Sequence, residues 1–312
     1  MKRVKEAIGY WTEDMEKGKY FGQGICIAIL DSGIILHPDF DRRILEFTDF
    51  VGRQKAIYDD SGHGTHVAGI LAGSGKMSDG IYQGMAPKSE LVVGKVLDQQ
   101  GNGTIQAVEE GIHWILELKN KRNIRIVNIS VGAKPQLNNI EERTLLSAVE
   151  MLWDAGLVVV VSAGNYGPKD GTIAIPGSSR KVITVGVTGG SQIVNVHSQK
   201  EWNYSGRGPT KQCVVKPDLT APGTKVISCN GQYTHRWKKP YISKSGTSMA
   251  TPVVAGAIAC LLSKYPDMTN VEVKLRLRES CLKEEKETER KVPFAECRSG
   301  STGAYAGAVP GT

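Results

Sequence analysis

Five apolar runs of strand type are spaced along the chain: "ICIAIL" (25–30), "LVVGKVL" (91–97), "IRIVNIS" (124–130), "LVVVVSAG" (157–164) and "KVITVGV" (181–187). Several are apolar at nearly every position, which suits a parallel sheet covered on both faces. Between them the apolar positions shift to a helical period. Ile105, Val108, Ile112 and Ile115 recur at three- and four-residue spacing behind Thr104, a residue type that caps helices, and predict a helix over 105–119. Leu145, Val149 and Leu152 repeat the pattern over 141–155, with Gly156 placed to end the helix. Strand–helix alternation of this kind predicts one α/β domain built on a mostly parallel sheet.

In such sheets functional groups collect beyond the carboxyl ends of the strands. The polar breaks fall there: "DSG" (31–33), "SVG" (130–132) and "AGN" (163–165) each close a predicted strand. A further polar stretch, "SGTSMATP" (245–252), precedes "VVAGAIACLL", a segment apolar all round and therefore a buried helix. Pro252 suits the first turn of that helix, where a missing N–H costs nothing. Ser248 then lies at or near the helix N-terminus, where free N–H groups and the helix dipole favour negative charge. A serine so placed is either an N-cap or, given a base, a nucleophile. The base candidate is His63 in "GHGTHVAGILAG" (62–73), at the start of a helical run, while His66 one turn on reads as a packed core histidine. H-x-x-H is not the zinc-peptidase spacing. Asp59 and Asp60 neighbour His63, but Asp31, ending a buried strand, is the better carboxylate to orient it.

"AILDSGI", "GHGTHVAGI" and "SGTSMATP" resemble, in order, the three signature blocks of the subtilisin-like serine peptidases (subtilases). "HPDF", "YDDSGHGTHVAG", "KVLDQQGNG" and "SGRGPT" are most similar to the AprX-like bacterial branch. The resemblance runs from about residue 20 to about residue 280 and implies a three-layer α/β fold. It implies a serine endopeptidase acting on protein or peptide substrates through an acyl-enzyme, with Asp31, His63 and Ser248 as triad and Asn165 as oxyanion donor. It places Ser130, Val131, Gly132, Ser162, Ala163 and Gly164 on two walls of the pocket for the residue before the scissile bond. "TIAIPG" (172–177) supplies its floor through Ala174, so uncharged apolar residues are expected there. No cofactor is required for such chemistry. Structural calcium accompanies many relatives, and Asp39 matches a carboxylate used for it. The loop "GSGKMSDGIYQG" (73–84) has its own length and composition, however, and Asp39 equally suits a turn cap. Two other classes stand against this reading. A silent subtilase acting as a binding or regulatory protein would have lost a triad residue. A sedolisin-type peptidase would replace His63 with an acid, and an esterase of the α/β-hydrolase kind needs an absent G-x-S-x-G.

Composition narrows the picture further. The chain has 312 residues, a net charge of +7 and pI near 9.0. Its densest cationic stretches, "KNKR" (119–122) and "HRWKK" (235–239), lack interleaved aromatic repeats and read as solvated loops, not a nucleic-acid surface. No uninterrupted apolar run has the roughly 18 residues of a membrane span. Cys26, Cys213, Cys229, Cys260, Cys281 and Cys297 are scattered without a C-x-x-C pair, so reduced thiols are expected. Residues 1–20 read as an N-terminal extension, 21–282 as the peptidase domain, and 283–312 as a charged, then small-residue-rich tail expected to be disordered. Asp31 stands too near Met1 for a secreted-type inhibitory prodomain, which gives a cytoplasmic enzyme if the chain is complete and a secreted one if it is a mature fragment. Oligomeric state is not legible.

Overall fold

The structure, a computed structural model, describes residues 1–287 apart from 11–12, 14–16, 135–138, 189–193, 197–198, 202–203 and 234–237. Most of "HRWKK" and residues 288–312 therefore lie outside the described residues, whereas 283–287, expected to begin a disordered tail, continue the last helix, Asn270–Glu287. Seven parallel strands form the central sheet: β1 (Cys26–Asp31), β2 (Ile44–Asp49), β3 (Glu90–Lys95), β4 (Ile124–Ile129), β5 (Val158–Ser162), β6 (Ile183–Val187) and β9 (Leu219–Ala221), in the order β2-β3-β1-β4-β5-β6-β9. Two antiparallel pairs stand apart, β7 (Val194–Val196) with β8 (Gln199–Glu201) and β10 (Val226–Cys229) with β11 (Tyr241–Lys244).

Every residue of β1, β5 and β6 is buried, which is why their sequences are continuously apolar. One face of the sheet carries α2 (His63–Ala72) and α5 (Thr247–Lys264), which also pack on each other. The opposite face carries α3 (Ile105–Leu118), α4 (Asn139–Asp154) and α6 (Asn270–Glu287). This is a three-layer α/β fold. The Thr104 hydroxyl accepts from the Ala107 N–H (3.1 Å) and caps α3, and Gly156 ends α4 at φ +85°.

The structure departs from the sequence reading at several points. β2 is a half-buried edge strand whose mixed polarity hid it, and β9 is only three residues long. A short helix, α1 (Lys2–Ala7), buries Met1 and Val4, and Tyr10 beyond it donates its hydroxyl to the Met85 carbonyl (2.6 Å), so the N-terminal segment is docked on the body. Helix α5 is 18 residues long and, with a mean hydropathy of 1.3, apolar enough to cross a membrane; mixed small and polar residues interrupt its apolar run, and the fold buries it. Pro252 is its sixth residue and not in its first turn, because the helix already starts at Thr247; the carbonyl of Ser248 thereby loses its i+4 donor. Cys281 on α6 is disulfide-bonded, contrary to the expectation of reduced thiols, since pairing follows spatial approach and not sequence spacing. Cys26, Cys213, Cys229 and Cys260 are free.

Candidate active site

β1 lies between β3 and β4, where the strand order reverses direction, and its last residue is Asp31. That is the crevice position of an open α/β sheet. Asp31 is fully buried; its Oδ1 accepts from the Ser32 N–H (2.7 Å) and lies 2.6 Å from His63 Nδ1. Its Oδ2 has no hydrogen-bond partner. A buried carboxylate with one shared oxygen suits an Nδ1–H donor and sets the tautomer that leaves Nε2 as acceptor.

His63 opens α2, and the start of that helix is held from outside it. The Asp59 carboxylate accepts from Gly62 N–H (2.7 Å) and Ser32 hydroxyl (2.8 Å) on Oδ1, and from Thr65 N–H (2.8 Å) and hydroxyl (2.6 Å) on Oδ2. The Ser32 hydroxyl in turn accepts the Gly64 N–H (2.9 Å). The otherwise orphaned first-turn donors are thus satisfied by a buried anion, which the helix dipole favours. Gly64 lets α2 approach β1: a Cβ there would stand 2.2 Å from the Gly33 carbonyl oxygen.

Two residues beneath this arrangement escaped the sequence reading. Lys95 ends β3 and is 1% exposed, and its ammonium donates to Ser32 O (2.8 Å), Leu97 O (2.7 Å) and Asp60 (2.7 Å), using all three protons. A lysine inside the apolar run "LVVGKVL" was the available signal. Asp59 was visible only as a helix-start carboxylate. His66 is fully buried, and its Nε2 lies 3.0 Å from Ile242 O and 3.2 Å from Val226 O. Burial pushes its pKa down to about 3, so the ring is neutral and donates to the β10–β11 hairpin.

Ser248 is the second residue of α5, after a turn at Gly246 with φ +152°, a conformation that favours glycine. Its hydroxyl donates to the Ser130 carbonyl at the end of β4 (2.9 Å). It is therefore not an N-cap. With its proton on Ser130, the hydroxyl must turn to reach His63, and such contacts often tighten only when substrate is bound. Asn165 follows β5, and its amide oxygen accepts from the Thr247 N–H (2.9 Å) and hydroxyl (3.1 Å). A backbone N–H can only donate, so the contact fixes which end is oxygen and leaves the NH₂ as the donor end of an amide that lines the cleft.

His63, Asn165 and Ser248 line one cleft of ≈ 1010 Å³, together with Ser130, Val131, Gly132, Ser162 and Gly164. Asp31 lies behind His63. Ala163 and Ala174 are fully buried and do not reach the cleft surface. Ala174 sits behind both walls: a Cβ on Gly164 would stand 2.5 Å from its methyl group, and one on Gly132 3.0 Å.

This arrangement puts a hydroxyl at a helix N-terminus, an imidazole with a buried carboxylate behind it and an oriented amide around one cleft. The sequence profile of the subtilase family matches residues 22–295. The chain belongs to the subtilase family. It is similar to the "Serine protease AprX" of Bacillus subtilis, at 42% identity over 82% of this chain and 61% of that protein. It also resembles the "Thermostable alkaline protease" of Halalkalibacterium halodurans, at 34% identity over 86% of this chain and 65% of that protein. The chain thus spans less than two thirds of the length of these two relatives. "Subtilisin Savinase" of Lederbergia lenta is 32% identical over 82% of this chain and 83% of its own. Among solved structures, a cold adapted subtilisin-like serine proteinase superposes with TM-score 0.67 at 29% identity, covering 84% of each chain. Sphericase gives TM-score 0.69 at 30% identity over 83% and 84%.

Asp39, which matches a calcium carboxylate of many subtilases but equally suited a turn cap, is committed to protein donors. Asp39 is fully buried and accepts from Gly75 N–H (3.1 Å), Met77 N–H (3.1 Å), the Tyr241 hydroxyl (2.8 Å) and the Cys229 thiol (3.6 Å). His37 Nδ1 accepts the Asp39 N–H (3.2 Å), and its Nε2 lies 3.0 Å from Pro240 O. Calcium takes six to eight oxygen ligands. Protons from nitrogen, sulfur and a phenol surround Asp39 instead, so the residues do not fit that ion. His37, Asp39 and Cys229 are close enough in space to hold a softer metal. Burial and the Asp39 charge, however, raise the Cys229 pKa and keep it a thiol donor.

Proposed function

We propose that this subtilase domain is a serine endopeptidase, with Ser248 as nucleophile, His63 as general base and acid, Asp31 as orienting carboxylate and Asn165 as oxyanion donor. The observation that carries the reading is the 2.6 Å His63–Asp31 contact in the cleft that also holds Ser248 and the oriented Asn165 amide. Serine proteases among its relatives support it. Ser248 Oγ bonds to the peptide carbonyl carbon while its proton passes to His63 Nε2, and Asp31 stabilises the imidazolium. The carbonyl electron pair moves onto oxygen, where the Asn165 NH₂ and the Ser248 N–H receive it; as second helical residue, Ser248 has no intrahelical acceptor for that N–H. The C–N bond then breaks, and His63 gives its proton to the departing amine. Water repeats the sequence on the acyl ester and frees Ser248.

Gly132 and Gly164 leave the pocket walls without side chains, and no carboxylate lies in "SVG" or "SAG". Cleavage is accordingly expected after uncharged apolar residues such as Leu, Met or Phe. Ala174 does not line the cleft, but its methyl backs Gly132 and Gly164, so Ala174→Gly should let those walls draw back and raise cleavage after Phe relative to Leu, by an amount within the roughly 1–3 kcal/mol range of one methylene. A peptide panel varied only at that residue reads both points.

Fluorophosphonate treatment followed by mass mapping tests the assignment. The adduct is expected on Ser248; labelling of another serine, or of none in folded protein, overturns it. Ser248→Ala should lower kcat by about 10⁶-fold, the scale observed for the subtilisin triad, and His63→Ala comparably.

A further inference from the structure

Lys134 and Lys244 line the cleft, and no Asp, Glu or Arg lines it among the described residues. Lys244 is the last residue of β11, four positions before Ser248. Its ammonium donates to the Gly62 carbonyl (3.1 Å), which holds it beside His63 at the start of α2. Two ammonium protons remain, and Lys244 has no carboxylate partner among the described residues. Asp59 accepts four hydrogen bonds and Asp31 Oδ1 holds His63, and neither carboxylate is within ion-pair distance of Lys244. Burial lowers the Lys244 pKa, while Asp59 and Asp31 partly offset that effect through charge.

Position gives this cation a meaning. Ser130–Gly132 and Ser162–Gly164 form the flank that receives the residue before the scissile bond. In the proposed mechanism His63 delivers its proton to the departing amine, so the residues after the bond leave past His63. A half-desolvated ammonium with spare donors there meets the substrate in a medium where charge is poorly screened. We propose that Lys244 selects substrates with a carboxylate in the first two residues after the scissile bond, so that this cleft takes acidic segments of polypeptide. The proposal rests on the endopeptidase reading and adds a substrate class to it. Lys134, an exposed lining residue two positions beyond Gly132, adds the same sign of charge to the cleft.

Quenched fluorescent peptides sharing Leu before the bond, and carrying Glu, Gln or Lys at each of the next two positions, test this. Rates are normalised to sites titrated by fluorophosphonate, so poorly folded variants do not distort them. The Glu peptide should exceed the Lys peptide in kcat/KM by roughly two- to fivefold at low salt, the range expected for one partly screened ion pair, and the ratio should shrink in 0.5 M salt as screening shortens to about 4 Å. Lys244→Arg should keep the preference, Lys244→Met should flatten it, and Lys244→Glu should invert it. An unchanged ratio in Lys244→Met and Lys244→Glu, with cleavage intact, overturns the proposal alone and leaves Lys244 as a tether for Gly62. Failure to cleave any of the peptides overturns the endopeptidase reading, and the proposal falls with it.

Discussion

Asn165 shows how one residue acquires a role through its neighbour. Its oxygen is taken by Thr247, so its NH₂ is the end left to donate to a substrate. An amide needed chiefly when the carbonyl oxygen becomes anionic affects kcat and not binding. Asn165→Leu should therefore lower kcat by roughly 10²–10³ with little change in KM. A large rise in KM at constant kcat would make Asn165 a binding residue instead. His66 differs from His63 in the same terms. It sits fully buried and neutral between carbonyls, with a pKa of about 3 against an ordinary value of 6.5. Between these pH values the unfolded chain binds a proton that the folded chain refuses. Stability from this group is therefore complete above pH 6.5 and falls as pH drops toward 3, at up to roughly 1.4 kcal/mol per pH unit. Urea melts of His66→Gln should show a lower plateau at neutral pH and a shallower decline below it. An unchanged slope would mean that the ring is protonated in the folded state.

At the level of elements, α2 and α5 carry the chemistry to one place by different means. α5 is fixed by burial of almost its whole surface, a property of its own sequence. α2 is fixed at its start by Asp59 and Ser32, which lie outside it. Removing the Asp59 carboxylate strips four hydrogen bonds and a favourable charge from the turn that begins with His63. Asp59→Ala should cost about 2–4 kcal/mol, the scale for buried groups left unpaired. It should also lower kcat, because the imidazole loses its anchored backbone. Thermal melting and kcat measured on the same preparations check both. A lost kcat at unchanged stability would place Asp59 in the chemistry.

For the whole molecule, the β10–β11 hairpin is the tie between distant parts. It holds His66 through two carbonyls, supplies Cys229 and Tyr241 to Asp39, and ends in Lys244 at the cleft. Asp39 joins this hairpin to the 73–84 loop through protons and not through an ion. Asp39→Ala should consequently lower the melting temperature by the same amount in calcium and in EDTA. A loss confined to the calcium-containing buffer would show that this carboxylate binds the ion after all.

The parallel sheet was legible because strands buried on both faces must be apolar throughout, as in Val158–Val161, and the layered architecture followed from their alternation with helices. The candidate site was legible because the chain packs its chemistry into short local blocks at strand ends and helix starts. Residues acting across the fold were not. Nothing local to "LVVGKVL" says that Lys95 reaches Ser32 and Asp60, and nothing near Asp39 says that Cys229 and Tyr241, some two hundred positions later, will occupy its lone pairs. A buried polar group must find partners wherever the fold places them, so its identity is written in the sequence but its partner is settled only by packing.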